Sequence, residues 1–283
     1  LKQADALGVA RLDEALTLRA GGIAKPIVLL EGFFHADELA QIVASNLQLV
    51  IHHREQADAL LAAVLDAPVR VWLKIDTGMH RLGIYPDEFN DLYQRLSQSS
   101  NVQGPLRLMS HFASSDELDK PATANQLALF QQITQGSVGE HSLANSAAVV
   151  NWPQSHGDWV RPGLMLYGVS PMADSVGSEH GLKPVMTLSS SVIAVRQVSA
   201  GDAVGYGGSW IAAHNSRLAV VAMGYGDGYP RGAGNNADVL INGKRLPIVG
   251  RVSMDMITVD IGSEPVAVGD KVILWGNDLP VEQ

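Results

Sequence analysis

The chain has 283 residues, and 46% of them are hydrophobic, which is enough apolar material for a substantial core. Its net charge of −9 argues against nucleic acid as the main partner, and the absence of cysteine excludes disulfides and thiolate chemistry. No apolar run reaches membrane-spanning length and no secretory signal is present, so we expect a cytoplasmic globular protein. The chain opens on Leu1 rather than methionine and closes on Gln283 just after a strand-like run, so we expect both ends to be cut.

The first 180 residues alternate short apolar runs with longer amphipathic segments. Runs typical of buried strands lie at 8–12, 27–30, 47–51, 71–75, 106–112 and 140–146, with a further candidate in 159–168. Helical spacing of apolar side chains occurs at 13–22, 37–46, 56–67, 86–96 and 125–135, and in the third of these Leu60 and Val64 share one face. About seven strands alternating with helices, with no Gly-x-Gly-x-x-Gly after the first strand, predict an α/β fold. We expect a (β/α)8 TIM-type barrel that lacks its first strand in this chain.

The pattern changes after about residue 180. Short β-rich runs are now separated by Gly, Asn and Asp turns, with hardly a helical stretch between them. Asn242-Gly243 lies between two such runs and is a strong signal for a two-residue hairpin turn. We therefore predict two domains, an α/β barrel over residues 1–180 and an all-β domain over residues 181–283.

The predicted strand at 71–75 ends in a group of charged side chains. Lys74 and Asp76 are two residues apart and so lie on the same side of a strand, and His80 and Arg81 follow shortly after. In α/β barrels the active site lies at the C-terminal ends of the strands. The other predicted strand ends also carry polar side chains, namely Glu31, His52, His111, Asn145, Ser146, Arg161 and Tyr167. This concentration favours an enzyme, and its basic groups favour an anionic ligand such as a phosphate or a carboxylate.

Other classes of site are not indicated by the spacing of these residues. His52 and His53 are adjacent and so point apart, and no His-x-x-x-His or paired-carboxylate spacing suggests a metal site. The sequence also contains no Gly-x-Ser-x-Gly nucleophile elbow and no Walker lysine loop.

Long motifs in both predicted domains resemble those of the bacterial alanine racemase family. In the barrel they are WLKIDTGMHRLG (72–83), SHFA (110–113), LANS (143–146) and VRPGLMLYG (160–168). In the β domain VGYGG (204–208), GYGDGYPR (224–231) and VGRVSMD (249–255) continue the match in the same order. The resemblance implies an enzyme that uses pyridoxal 5'-phosphate to interconvert L-alanine and D-alanine, supplying D-alanine for peptidoglycan.

The resemblance also implies roles for the reacting groups. Racemisation removes a proton from one face of Cα and delivers another to the opposite face. Tyr206 is assigned to one face and a family lysine to the other, while His111 and Arg161 form a network that supports Tyr206. Arg161 is also assigned to the pyridine nitrogen, where an arginine leaves the ring a weaker electron sink than an aspartate would.

Further residues are assigned to binding by the same resemblance. The resemblance assigns cofactor binding to Asn145, Ser146, Gly163, Leu164 and Tyr225. Of these, Ser146, Gly163 and Leu164 are expected to bind the phosphate. The resemblance assigns binding of the substrate carboxylate to Arg81 and to the backbone N–H of Met254. It also implies that Lys74 is carbamylated and positions Arg81. The family's ring-stacking histidine sits three residues before the asparagine, a position that Ser142 occupies here, so the role of His141 is left open.

One family feature has no counterpart in this sequence. The family binds its cofactor covalently through a lysine in a Val-Val-Lys-Ala-x-Ala-Tyr-Gly-His-Gly stretch, and no such stretch occurs. Lys74 is the one lysine at a predicted barrel strand end, and the residues alone would nominate it for that bond. We expect the 283-residue chain to be inactive for this reason.

Alternatives to alanine racemisation stay open at this point. They are a racemase of broader amino-acid range, another barrel-type pyridoxal phosphate enzyme, and a non-catalytic cofactor-binding barrel. The family resemblance further implies a homodimer with shared active sites, in which Tyr206 and Met254 act on the cofactor of the partner subunit.

Overall fold

The computed structural model describes residues 3–235 and 237–282 and divides the chain into two compact units. The first unit ends at Gly163 and the second begins at Leu164. The domain boundary predicted near residue 180 stays a prediction, since only 3-10 turns at Leu164–Tyr167 and Gly177–His180 lie around it. Among the described residues no helix is long and apolar enough to span a membrane.

The first unit is a parallel sheet whose strands follow one another in chain order, with a helix after each strand. All neighbouring strands pair in parallel, in the order β1-β2-β3-β4-β5-β6. The strands are β1 (Leu7–Val9), β2 (Ile27–Leu29), β3 (Gln48–Ile51), β4 (Arg70–Lys74), β5 (Arg107–Met109) and β6 (His141–Ser142). The helices are α1 (Leu12–Ala20), α2 (Glu38–Ala44), α3 (Arg54–Ala62), α4 (Phe89–Ser97), α5 (Ala122–Ile133) and α6 (Ser146–Asn151).

Alternation along each strand sorts side chains onto the two faces of this sheet. One face packs against the helices and forms the larger core, to which Leu49, Leu73 and Leu108 belong. The other face carries a smaller cluster made by Val28, Val50, Trp72 and Met109. In a barrel this second face is the lumen, which is filled by layers of side chains. The residue two positions before each cluster member therefore lies on the same face, nearer the beginning of the strand. The residue two positions after it lies on that face nearer the C-terminal end of the strand.

Several boundaries of the first unit differ from the sequence prediction, and two of the differences are large. The helix predicted over 56–67 ends at Ala62, because Ala63 is already extended, with ψ 147°. Val64 was predicted on the buried face with Leu60, but it is fully exposed. The reason is that a helical period holds only as long as the helix lasts. In the candidate strand region 159–168, Trp159 pairs with Ser142 through one isolated parallel bridge. No named strand is assigned to this region.

The second unit is built from antiparallel strands. Its main sheet has the order β12-β11-β14-β7-β10-β13, and β8 pairs separately with β9. The strands are β7 (Leu188–Val198), β8 (Ala203–Val204), β9 (Trp210–Ile211), β10 (Ser216–Val221), β11 (Asp238–Ile241), β12 (Lys244–Pro247), β13 (Ile257–Asp260) and β14 (Lys271–Trp275). The predicted hairpin joins β11 to β12, and its two central residues have positive φ, 51° at Asn242 and 76° at Gly243. Positive φ at both positions is the type I′ geometry that favours the Asn-Gly pair.

Candidate active site

Lys74 is a buried amine at the C-terminal end of β4. Its side chain is 9% exposed, and no described residue forms a hydrogen bond or an ion pair with it. Burial, together with the positive charges of Arg161 and Arg81, lowers the pKa of Lys74 to about 8. An amine with this pKa is uncharged in roughly a tenth of the molecules at pH 7, far more than an ordinary lysine, and the uncharged form is nucleophilic.

Arg161 is held by four acceptors that come from two segments of the chain, 110–111 and 142–143. Its Nη1 donates to Ser142 Oγ at 2.6 Å, and its Nη2 donates to the carbonyl oxygens of Ser110 at 2.6 Å and Leu143 at 3.2 Å. The same Nη2 lies 3.2 Å from Nδ1 of His111. Burial lowers the pKa of Arg161 to about 10, which leaves the guanidinium charged at neutral pH. These contacts fix a cation in one orientation without neutralising it.

His111 follows β5 and is neutral at physiological pH. Burial lowers its pKa to about 4, and the charges of Arg161 and Lys74 act in the same direction. Because the neighbouring Nη2 of Arg161 can only donate, Nδ1 of His111 accepts and the ring proton is assigned to Nε2. The predicted pairing of His111 with Arg161 is therefore present in the first unit.

We expect this neutral His111 to make the fold sensitive to acid. Between pH 4 and 6.5 the unfolded chain binds a proton on His111 that the folded chain does not, so stability falls as the pH drops through this range. The loss should be about 1–3 kcal/mol, from roughly 1.4 kcal/mol per pKa unit. Replacement His111→Gln keeps an acceptor for Arg161 and removes the titration. Urea unfolding at pH 7.0 and 4.5 should therefore show a smaller acid loss in this variant, and an equal loss in both proteins would contradict the assignment.

The loop after β4 is organised by the carboxylate of Asp76. Its Oδ1 accepts the backbone N–H groups of Gly78, Met79 and His80 at 2.9–3.1 Å, and its Oδ2 lies 3.1 Å from Nδ1 of His80. These bonds fix the segment that leads into Arg81, whose side chain is exposed. Asp76 thus shapes the loop that presents Arg81.

A second set of polar groups lies at the start of α6. Asn145 Oδ1 accepts the N–H of Ala148 at 3.1 Å and the hydroxyl of Ser115 at 2.7 Å, so this side chain caps the helix. The N–H of Gly163 donates to Oγ of Ser146 at 2.9 Å, and a Cβ at position 163 would meet nothing within 4 Å. A hydroxyl, a backbone N–H and open space beside them fit a phosphate group. Three cations on the same unit, Lys74, Arg81 and Arg161, also suit an anionic cofactor.

The remaining predicted site residues lie in the second unit. Leu164 is the first residue of a 3-10 turn and is half exposed. Tyr206 is 69% exposed and lies between Gly205 and Gly207, which have φ 75° and 73°. Positive φ at both neighbours turns the backbone sharply and leaves the tyrosine ring at the surface.

Tyr225 and Met254 are brought together by backbone contacts between their loops. The N–H of Tyr225 donates to the carbonyl of Ser253 at 3.0 Å, and the N–H of Gly226 donates to that of Met254 at 2.7 Å. A Cβ on Gly224 would come within 2.1 Å of the Met254 carbonyl oxygen, so only glycine permits this approach. The backbone N–H of Met254 donates no hydrogen bond to any described residue, and its use for a substrate carboxylate stays a prediction.

Sequence reasoning missed two features that the structure reveals. Ser142 was noted only for its position, but its hydroxyl accepts from Arg161 and donates to the Trp159 carbonyl at 3.0 Å. A cavity of about 420 Å³ in the second unit is lined by Arg231 and Arg251, both within motifs that were quoted but given no role. His141, whose role was left open, packs its ring edge-on against Phe130 at the beginning of β6.

Comparison with known proteins gives consistent matches along the chain. The alanine racemase N-terminal domain family matches residues 1–171, and the alanine racemase C-terminal domain family matches residues 185–283. Alanine racemase of Shewanella amazonensis is 56% identical over 281 residues, which are 99% of this chain and 77% of that protein. Biosynthetic alanine racemase of Escherichia coli K12 is 55% identical over 285 residues, covering 100% of this chain and 79% of that protein.

The structural comparison points the same way. The crystal structure of biosynthetic alanine racemase from Pseudomonas aeruginosa superposes with a TM-score of 0.95 at 47% identity, over 98% of this chain and 78% of that one. The predicted fold class, a TIM-type barrel followed by a β domain, is confirmed by these matches.

Proposed function

The chain belongs to the alanine racemase family, and we infer that it interconverts L-alanine and D-alanine with pyridoxal 5'-phosphate as cofactor. The observation that carries this inference is the arrangement around Arg161, a buried cation fixed by Ser142 and His111 at the strand ends of a family-matched barrel. Biosynthetic supply of D-alanine for peptidoglycan, in the cytoplasm, fits the names of the relatives. The direct test is racemisation of L-alanine by the purified product of the whole natural gene, with serine and lysine as competing substrates.

Several residues of the chain would hold the cofactor. Ser146 and the N–H groups of Gly163 and Leu164 would bind its phosphate, with Asn145 setting the geometry of α6 beside them. Tyr225 is proposed as a further cofactor-binding residue. Bound pyridoxal phosphate withdraws electrons from Cα of the amino acid and so acidifies its C–H bond. Arg161 would lie at the ring nitrogen and leave it unprotonated, because a guanidinium gives up its proton far less readily than a carboxylic acid does.

Two protein groups move the proton in this proposal. Tyr206 serves one face of Cα through its phenol oxygen, and a lysine serves the other face. The neutral His111 and the charged Arg161 form the network that supports Tyr206. The substrate carboxylate is bound by the Arg81 guanidinium and the Met254 N–H, which hold Cα in position for both groups.

Lys74 is proposed to carry a carbamate. An uncharged amine attacks carbon dioxide and releases one proton, so R–NH₂ and CO₂ give R–NH–COO⁻ and H⁺. The low pKa of Lys74, its burial, and the lack of an acidic partner among the described residues favour this reaction. The new negative charge lies among Arg81 and Arg161, and it would fix Arg81 for the substrate.

We expect the 283-residue chain to show no racemase activity even with added cofactor. The family binds the cofactor covalently through a lysine in a motif that this sequence does not contain, and Lys74 is assigned to carbamylation instead. The chain is incubated with pyridoxal phosphate, reduced with borohydride, digested and analysed by mass spectrometry. A pyridoxyl group on Lys74 together with racemisation would overturn both assignments, and the whole natural gene product serves as the positive control.

The working unit is proposed to be a homodimer with shared sites. In it Tyr206 and Met254 of one subunit act on the cofactor and substrate bound to the barrel of the other. A two-fold arrangement completes two sites with one self-complementary interface.

A further inference from the structure

A cavity of about 180 Å³ lies at the beginning of strands β3, β4 and β5. We call it the base cavity, and its polar lining consists of Asn46, Gln48, Arg70, Gln103 and Arg107. The described residues that line it include two arginines and three amides but no carboxylate. Lys74, His111 and Arg161 lie at the opposite ends of the strands, so the base cavity is separate from the candidate active site.

Arg107 is the first residue of β5, and side chains of neighbouring strands hold its guanidinium in place. Its guanidinium lies over the rings of Trp72 and Trp159, 5.0 and 4.9 Å from their centroids. Nη1 donates to Gln48 Oε1 at 3.0 Å, and the Trp72 indole N–H donates to the same oxygen at 2.9 Å. Nε contacts the carboxylate of Glu140, which balances the charge of Arg107.

Arg70 is the first residue of β4, and no described carboxylate balances its charge. It is half buried, and its side chain forms no hydrogen bond or ion pair with any described residue. Its Nη1 lies over Gly104, where a Cβ would come within 2.9 Å, so the glycine leaves room for the guanidinium. Burial lowers the pKa of Arg107, the nearby Glu140 carboxylate raises it, and the positive charge of Arg70 lowers it, so the Arg70 charge acts against that of Arg107.

We propose that the base cavity binds a phosphate-type oxyanion through the guanidinium groups of Arg70 and Arg107. An arginine fork matches the geometry of phosphate oxygens and can bind two of them at once. An anion here would supply the missing charge for Arg70 and relieve its repulsion with Arg107. The amides of Asn46 and Gln103 add donors at the rim. The cavity is smaller than the roughly 300–1,000 Å³ typical of drug-sized ligands, so it suits an ion or a single phosphoryl group.

Such a ligand would stabilise the barrel unit by mass action, because it binds a site that exists only when β3, β4 and β5 are assembled. This effect needs no change at the opposite ends of the strands. Racemase activity is therefore not the readout for the test.

The test is a calorimetric titration with inorganic phosphate at constant ionic strength. Pyridoxal phosphate is present at one equivalent per chain, so that it occupies the cofactor site without filling the base cavity. We expect saturable binding that weakens about tenfold to a hundredfold in Arg70→Met, the cost of losing charge-assisted hydrogen bonds. Arg95→Met is the matched control, since Arg95 pairs with Asp58 and Asp91 on the surface, and its affinity should stay within about twofold of wild type.

A second measurement does not depend on the folding of a variant. In the wild-type chain, phosphate should slow the modification of Arg70 by phenylglyoxal, measured on its peptide, at least about fivefold more than that of Arg95. The reason is that no described carboxylate pairs with Arg70, whereas Arg95 pairs with Asp58 and Asp91. Acetate is titrated in parallel to separate phosphate chemistry from carboxylate chemistry. Absence of saturable phosphate binding, unchanged affinity in Arg70→Met, or acetate binding as tight as phosphate would each overturn the proposal.

Discussion

Replacing Tyr206 with phenylalanine should abolish proton transfer at one face of Cα and leave the other face working. Positioned acid–base groups contribute about 10²–10⁴-fold, so racemisation should slow by that factor. Because the two enantiomers have equal free energy, kcat/KM must fall equally in both directions. The asymmetry appears in exchange of the Cα hydrogen with solvent, which should continue for one enantiomer without inversion and stop for the other.

The measurement is deuterium incorporation from heavy water into L-alanine and D-alanine separately, followed by mass spectrometry. It requires the whole natural gene product with bound cofactor. Tyr85→Phe is the matched control, since Tyr85 is a similarly exposed tyrosine, 66% against 69%, at a position outside the site. Small and equal changes in exchange for both enantiomers would remove Tyr206 from the mechanism.

Mixing two inactive variants should restore activity if the sites are shared between subunits. Both variants are made in the whole natural gene product. One carries Arg161→Met in the first unit, and the other carries Tyr206→Phe in the second. In a mixed dimer with shared sites, one site receives both defects and the other receives neither. With statistical mixing about half of the dimers are mixed, so roughly a quarter of all sites should be intact, as the two-fold arrangement requires.

Subunit exchange must be shown independently, for example by native mass spectrometry with one variant carrying a mass tag. Each variant incubated alone under the same conditions gives the background. If exchange is complete and activity does not return, each chain completes its own site and the shared-site proposal is wrong. Because the expected change runs from background to about a quarter of wild type, even partial exchange gives a clear result.

The sequence by itself determined the features that local patterns encode. Alternating periods of two and 3.6 residues gave the order of strands and helices, because each element exposes its buried face at a fixed spacing. Asn242-Gly243 gave the hairpin, because both positions need positive φ. The positions of Lys74 and His111 at strand ends, and the family itself, were likewise readable from motifs in the printed sequence.

Only the tertiary structure decided how those groups behave. Arg161 meets His111 across 50 positions of sequence and is oriented by Ser142, and no local period relates these residues. The pKa of Lys74 depends on burial and on two arginines that come from other segments. Arg70 and Arg107 appeared in the sequence as ordinary charges at the starts of strands, and parallel pairing placed them at one cavity. The physical reason is that distance and burial are set by sheet assembly, which joins residues far apart in the chain, whereas the sequence pattern records only which face each residue occupies.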